Sequence, residues 1–155
     1  MLKKYQNDKI PNSLKKYIRM CEKAKDILDS NHYFESHEFF FHPDIGISNV
    51  DINLGNGYLF CTEKKLYNTK IKCKKCTWLP SEDNFEDLAK DLNLTQESLN
   101  NFLNDDKGFS GYPKGKKIGQ IFKLPEEQWL AYYMLERHNM IWLQEKNKWI
   151  KKDFF

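Results

Sequence analysis

The residue types in this chain that can carry chemistry are four cysteines, four histidines and a run of glycines interleaved with lysines. Cys73-Lys-Lys-Cys76 offers two of the four ligands that a structural zinc site needs. Cys61, on a neighbouring predicted strand, would be the third, and His37 or His42 the fourth. Cys61, Cys73 and Cys76 are therefore the candidate metal ligands, although no regular zinc spacing links them. A redox CxxC would open a helix beside a βαβ unit, whereas this pair closes a predicted strand. Buried thiols and turn residues are the default for it. His32, His37 and Glu38 provide an acid and a base, but no recognisable motif sets a nucleophile beside them. The chain has no nucleophile elbow and no diagnostic pair of histidines or carboxylates. Gly108, Gly111, Gly115 and Gly119 alternate with Lys107, Lys114, Lys116 and Lys117 in a loop whose backbone N–H groups could cradle phosphate. The phosphate-loop pattern requires four residues between its glycines and then Lys-Ser/Thr. Gly111 and Gly115 have only three residues between them and Lys117 follows Lys116, so a solvated, mobile loop is expected instead.

The segment from Trp78 to Asp106 has more definite organisation. Pro80-Ser81 opens a first helix, with Phe85, Leu88, Ala89 and Leu92 at helical spacing. Asn93-Leu94 forms a turn in which Asn tolerates the left-handed region. Thr95 caps a second helix carrying Leu99, Phe102 and Leu103. LAKDLNLTQESLNNFL resembles the helix-turn-helix pattern, within a pair spanning 82–104. That resemblance implies a second helix entering the major groove by its N-terminal end. Thr95, Gln96 and Asn100 would then face bases, with Lys107, Lys114, Lys116 and Lys117 on phosphates. The charge opposes it: eight carboxylates and one lysine lie between Glu82 and Asp106, while phosphate contacts supply most of the binding free energy in such complexes. An acidic helical pair that meets a protein is the leading expectation, and a DNA-binding regulator the alternative.

These segments need elements to position them. Leu14, Tyr17, Ile18, Cys21, Ala24, Ile27 and Leu28 predict an amphipathic helix capped by Ser13. Aromatic residues crowd His32 to His42. Ile45 to Leu54 and Gly57 to Thr62 read as a hairpin about Gly55-Asn56-Gly57. A turn at Glu63 to Lys65 then leads into a third strand through Thr69, Ile71 and Cys73. Ile121-Phe122 is expected as a short strand. Pro125 starts a helix from Trp129 to Leu135 that is apolar on every side, hence buried. Glu126 and Glu127 at its start and Arg137 and His138 at its end suit the helix dipole, and His138 is expected as a cation. Met140 to Leu143 and Lys148 to Ile150 predict a closing hairpin. Trp129, Trp142 and Trp149 could stack on bases, but their spacing places them in the core. The aromatic end, Phe154-Phe155, could dock on the body or on a partner.

With 155 residues, 40% of them hydrophobic, the chain is the size of one domain with its own core. One α+β domain over 1–155 is expected: a small antiparallel sheet, an N-terminal amphipathic helix, a helix-turn-helix-like pair, and a buried C-terminal helix followed by a hairpin. The net charge of +3 does not by itself imply nucleic acid. No apolar run approaches a membrane span. The start MLKKYQNDKIPNS is not a secretory signal, and the cysteines suit a reducing compartment, so a cytoplasmic protein without membrane contact is expected. Lysine and asparagine dominate and Arg19 and Arg137 are the only arginines, a composition that points to a low-GC bacterium, its phage or a mobile element. The functional expectation is a non-enzymatic binding or regulatory protein with a protein partner and no cofactor. An enzyme of unrecognised type is the remaining alternative.

Overall fold

The computed structural model describes residues 10–28, 32–61 and 70–152 and divides into two compact units, Met1–Ser81 and Glu82–Phe155. The elements are those of an α+β fold with a small antiparallel sheet. The expected turn at Glu63 to Lys65 and the terminal Phe154-Phe155 lie outside the described residues.

The first unit starts with α1 (Asn12–Leu28), whose buried face is Leu14, Tyr17, Ile18, Met20, Cys21 and Ala24. It packs against β5 (Thr77–Trp78), and the Tyr17 hydroxyl donates to the Pro80 carbonyl. The sheet comprises β1 (Phe39–His42), β2 (Gly46–Gly55), β3 (Tyr58–Cys61), β4 (Ile71–Lys72) and β5, in the order β4-β3-β2-β1-β5 and antiparallel throughout. Asn56 and Gly57, with φ of 54° and 84°, make the two-residue turn between β2 and β3. Both positions of such a turn require positive φ, which Asn and Gly supply at least cost. Phe34, Phe40, Val50, Leu59, Cys61, Ile71 and Cys76 form the core beneath.

Three strands here differ from the sequence-based expectation, beginning with β1, which forms where the sequence shows only a crowd of aromatic residues. The third strand shrinks to Ile71–Lys72, because the Cys76 N–H donates to the Cys73 carbonyl at 2.9 Å and winds Cys73–Lys75 into a 3-10 turn. Thr77–Trp78 then pairs with Phe41 and Phe40 as an edge strand, too short to show any alternation.

The second unit contains α2 (Glu82–Lys90), α3 (Gln96–Leu103), α4 (Ile118–Ile121), α5 (Pro125–His138) and a hairpin of β6 (Met140–Leu143) and β7 (Lys148–Lys151). Both α2 and α3 pack on α5. As its pattern requires, α5 buries Trp129, Leu130, Ala131, Tyr132, Met134 and Leu135. Glu127 Oε1 accepts the N–H groups of Lys123 and Leu124 at 3.1 and 3.2 Å and so closes the start of the helix. Trp142 and Trp149 are buried against each other in the hairpin, ring centroids 5.2 Å apart. They belong to the core and are not free to stack on bases. The strand expected at Ile121-Phe122 is part of α4 and its end. Ile118 and Phe122, both buried, are four residues apart, a helical spacing that outweighs the local β preference.

Candidate functional site

The helical pair forms as its sequence dictates. Thr95 Oγ1 accepts the Ser98 N–H at 3.1 Å, and Ser98 Oγ accepts the Thr95 N–H at 2.8 Å, a reciprocal capping box. Asn93 sits in the left-handed region at φ 56°, and the Leu94 N–H donates back to the Ala89 carbonyl at 2.9 Å. Phe85, Ala89, Leu99 and Phe102 are buried. The opposite faces stay in solvent. Glu82, Asp83, Glu86, Asp87, Asp91 and Glu97 are exposed, and the one lysine of the pair, Lys90, reaches Asp87 at 3.4 Å. Burial first, then the charge of Glu126, raises the Glu82 pKa above its ordinary value.

Gln96 and Asn100 share an exposed face, where Gln96 Nε2 donates to Asn100 Oδ1 at 3.1 Å. The loop carrying Lys107, Lys114, Lys116 and Lys117 belongs to the other end of the helix. It leaves α3 at Asp105 and returns there, the Ile118 N–H donating to the Asp105 carbonyl at 3.2 Å and the Gly115 N–H to the Asp106 carbonyl at 2.8 Å. Gly119 rests on Leu103, the last residue of α3. A helix of eight residues is about 12 Å long. The loop that carries the lysines is therefore attached about one helix length from Thr95 and Gln96 and one turn from Asn100, at the end opposite the one that a major-groove docking would insert.

This loop, expected to be solvated and mobile, carries a hydrogen-bond framework of its own. Asp105 Oδ1 accepts the Lys107 N–H at 3.0 Å and Oδ2 the Ser110 N–H at 2.9 Å. Burial pushes the Asp105 carboxyl up, but the hydrogen bonds from Lys107, Ser110 and Phe109 outweigh it and hold the pKa below the ordinary carboxylate value. The buried Tyr112 hydroxyl accepts the Trp142 N–H at 3.0 Å and ties the loop to the hairpin. An aspartate two residues before the N–H it accepts is the signature of an Asx turn, so Asp105 was in principle readable from the sequence.

Beside α3, the organised loop leaves a groove of about 550 Å³ bordered by Phe102, Asp106, Lys107, Phe109, Tyr132 and Glu136. Phe102 and Tyr132 form its aromatic wall, centroids 5.0 Å apart. Phe109 stands 78% exposed at its rim. Sequence reasoning missed Phe109, Tyr132 and Glu136 as site residues, since only the packing of α3 on α5 brings them together.

All four cysteines remain thiols. Cys61 and Cys76 are buried and Cys73 is half-buried. Burial first, then Cys73, pushes the Cys76 thiol up to about 12, and burial likewise raises Cys73. Among the described residues, no group of three or more His, Cys, Asp or Glu side chains is arranged to hold a metal ion. His42 Nδ1 accepts the Asp44 N–H at 3.1 Å and caps the turn after β1. The His138 pKa is held below its ordinary value by burial, then by Arg137 and Lys151, which disfavours the cation expected at this helix end. No helix among the described residues is long and apolar enough to cross a membrane. No protein-family model matches the chain, and neither does any curated protein or solved structure.

Proposed function

We propose that this chain is a non-enzymatic binding or regulatory protein of the cytoplasm, encoded by a phage or mobile element, and that it meets a basic polypeptide through the acidic faces of α2 and α3. The observation that carries this reading is the disposition of charge. The carboxylates of the pair are displayed outward and its single lysine is engaged with Asp87. Such a surface repels the phosphates on which DNA affinity depends and attracts lysine- and arginine-rich segments. The groove next to α3 adds an aromatic wall for an apolar anchor, with Asp106 and Glu136 beside it. Buried anchors, more than rim charges, carry binding energy at protein interfaces.

The test is a peptide-display selection at physiological salt, on the wild-type chain and on a variant combining Glu86→Lys, Asp87→Lys and Glu97→Lys. The wild type is expected to enrich basic peptides with one aromatic or aliphatic anchor. The variant should bind the same peptides at least about tenfold more weakly, since long-range steering and rim contacts are both reversed. Equal enrichment by both proteins would overturn the reading. So would tight, sequence-selective binding of duplex DNA that survives physiological salt and disappears on combined Gln96→Ala and Asn100→Ala substitution, the result required of a DNA-binding regulator.

A further inference from the structure

The first unit encloses a second concavity that the acidic helices do not explain. It has a volume of about 330 Å³, at the small end of the range of ligand pockets. Three elements build it. The last turns of α1 contribute Cys21, Lys25 and Leu28, one helical face at spacings of four and three residues. The Gly55-Asn56-Gly57 hairpin forms a second wall and the stretch from Cys73 to Trp78 a third. His32 and Trp78 supply a planar surface, stacked with centroids 3.7 Å apart and planes 11° from parallel. The His32 ring is held in that orientation from behind. Its Nε2–H donates to Glu38 Oε1 at 3.1 Å, an oxygen that also accepts the Glu35 N–H at 2.7 Å. Phe34 meets the same ring edge-on at 5.0 Å.

The polar character of the described lining is one-sided. Its lining includes Lys25 and Lys74 and, among the described residues, no carboxylate. The Lys25 ammonium is fixed there, donating to the Lys74 carbonyl at 2.7 Å, which leaves its other two protons for a ligand. Asn53 is held in place, its Nδ2 donating to the Phe34 carbonyl and its Oδ1 accepting the Gly55 N–H, both at 2.8 Å, which fixes the shape of this wall and leaves one amide N–H beyond those two bonds. Among the described residues, no heavy atom beyond the chain neighbours lies within 4 Å of where a Cβ would stand at Gly55 or Gly57, so space remains open along the hairpin wall. Cys21, Cys73 and Cys76 complete a soft apolar lining that suits an aromatic ring.

We propose that this cavity binds a small planar aromatic anion, its ring against the His32–Trp78 layer and its carboxylate or similar group at Lys25 and Lys74. The site lies wholly within the first unit and does not depend on the function assigned to α2 and α3. The experiment titrates the full chain with 2-naphthoate, 2-naphthamide and cyclohexanecarboxylate, read by calorimetry and by amide chemical shifts. 2-Naphthoate is expected to bind with a dissociation constant of about 1 mM or tighter, the least that a ligand of this size reaches at ordinary efficiency. It should move the amides of Gly55, Gly57 and Lys74. The neutral amide and the non-planar acid should each bind at least about tenfold more weakly. Lys25→Met with Lys74→Met, at two positions whose side chains reach solvent, should bring 2-naphthoate down to the level of the amide. His32→Ala should weaken both aromatic probes, and amide spectra of each variant show whether it is folded. No binding of 2-naphthoate, equal binding of acid and amide, or shifts confined to residues outside the cavity would each overturn the proposal.

Discussion

Asp105 shows how much one side chain determines in this protein. The loop it organises was expected to be mobile, on the strength of its glycines and lysines alone. What closes it is a carboxylate accepting main-chain N–H groups from Lys107 and Ser110, an interaction between residues so close in sequence that no periodicity reports it. Asp105→Ala should therefore lower stability by about 1–2 kcal/mol, the scale of hydrogen bonds to a charged acceptor discounted for partial solvent access. The sign of its pH dependence follows from the depressed pKa. The contribution is complete above the ordinary carboxylate pKa of about 3.9 and is lost as pH falls below that value through the lower folded-state pKa. Urea titrations of wild type and variant should show a clear difference at pH 7 that narrows toward pH 3. A difference that does not change with pH would mean that the charge of Asp105 is not what holds the loop.

At the scale of elements, legibility followed locality. The signals for α1, α3 and α5 lie within each helix, as caps and apolar spacing, and the β2–β3 turn is written in Asn56-Gly57. β1 and β5 were not legible. Phe39, Phe40 and Phe41 run on without alternation, and Thr77–Trp78 becomes a strand only because Phe40 and Phe41 present an edge to it. α4 was misread because Ile121-Phe122 looks like a strand once Ile118 is left out of view. Of the candidate site, the acidic surface was legible from composition. The groove and the aromatic cavity were not, since their walls come from residues far apart in the chain. The best-specified local signal is the Thr95–Ser98 box. Thr95→Ala should destabilise the unit bearing α3 by about 1 kcal/mol, as the loss of an N-cap does, whereas Thr95→Ser should be nearly neutral. Thermal or urea unfolding distinguishes the two. Equal losses would show that the threonine methyl, and not its hydroxyl, carries the effect.

Across the whole molecule, two imidazoles are expected to contribute to acid sensitivity beside the carboxylates. His42 in the first unit and His138 in the second both have pKa values below the ordinary histidine value, and burial is the largest cause at each. At His42, Asp44 opposes the shift and Lys75 adds to it; at His138, Arg137 and Lys151 both add to it. A geometric reason stands beside the first. His42 Nδ1 accepts the Asp44 N–H and must be unprotonated to do so. A histidine with a folded-state pKa below its unfolded one binds protons preferentially when the chain opens. Stability is then full above about pH 6.5 and falls as the pH drops from there toward the folded-state value. Both units should accordingly unfold at lower urea concentration at pH 5.5 than at pH 7.5, before most carboxylates titrate. His42→Asn keeps an acceptor for Asp44 and His138→Gln keeps a polar side chain, and neither substituent titrates. Each should flatten the pH dependence of its own unit between those two values and leave that of the other unit unchanged. If the double variant kept the full wild-type slope, the loss of stability over that interval would have to come from groups other than these two histidines.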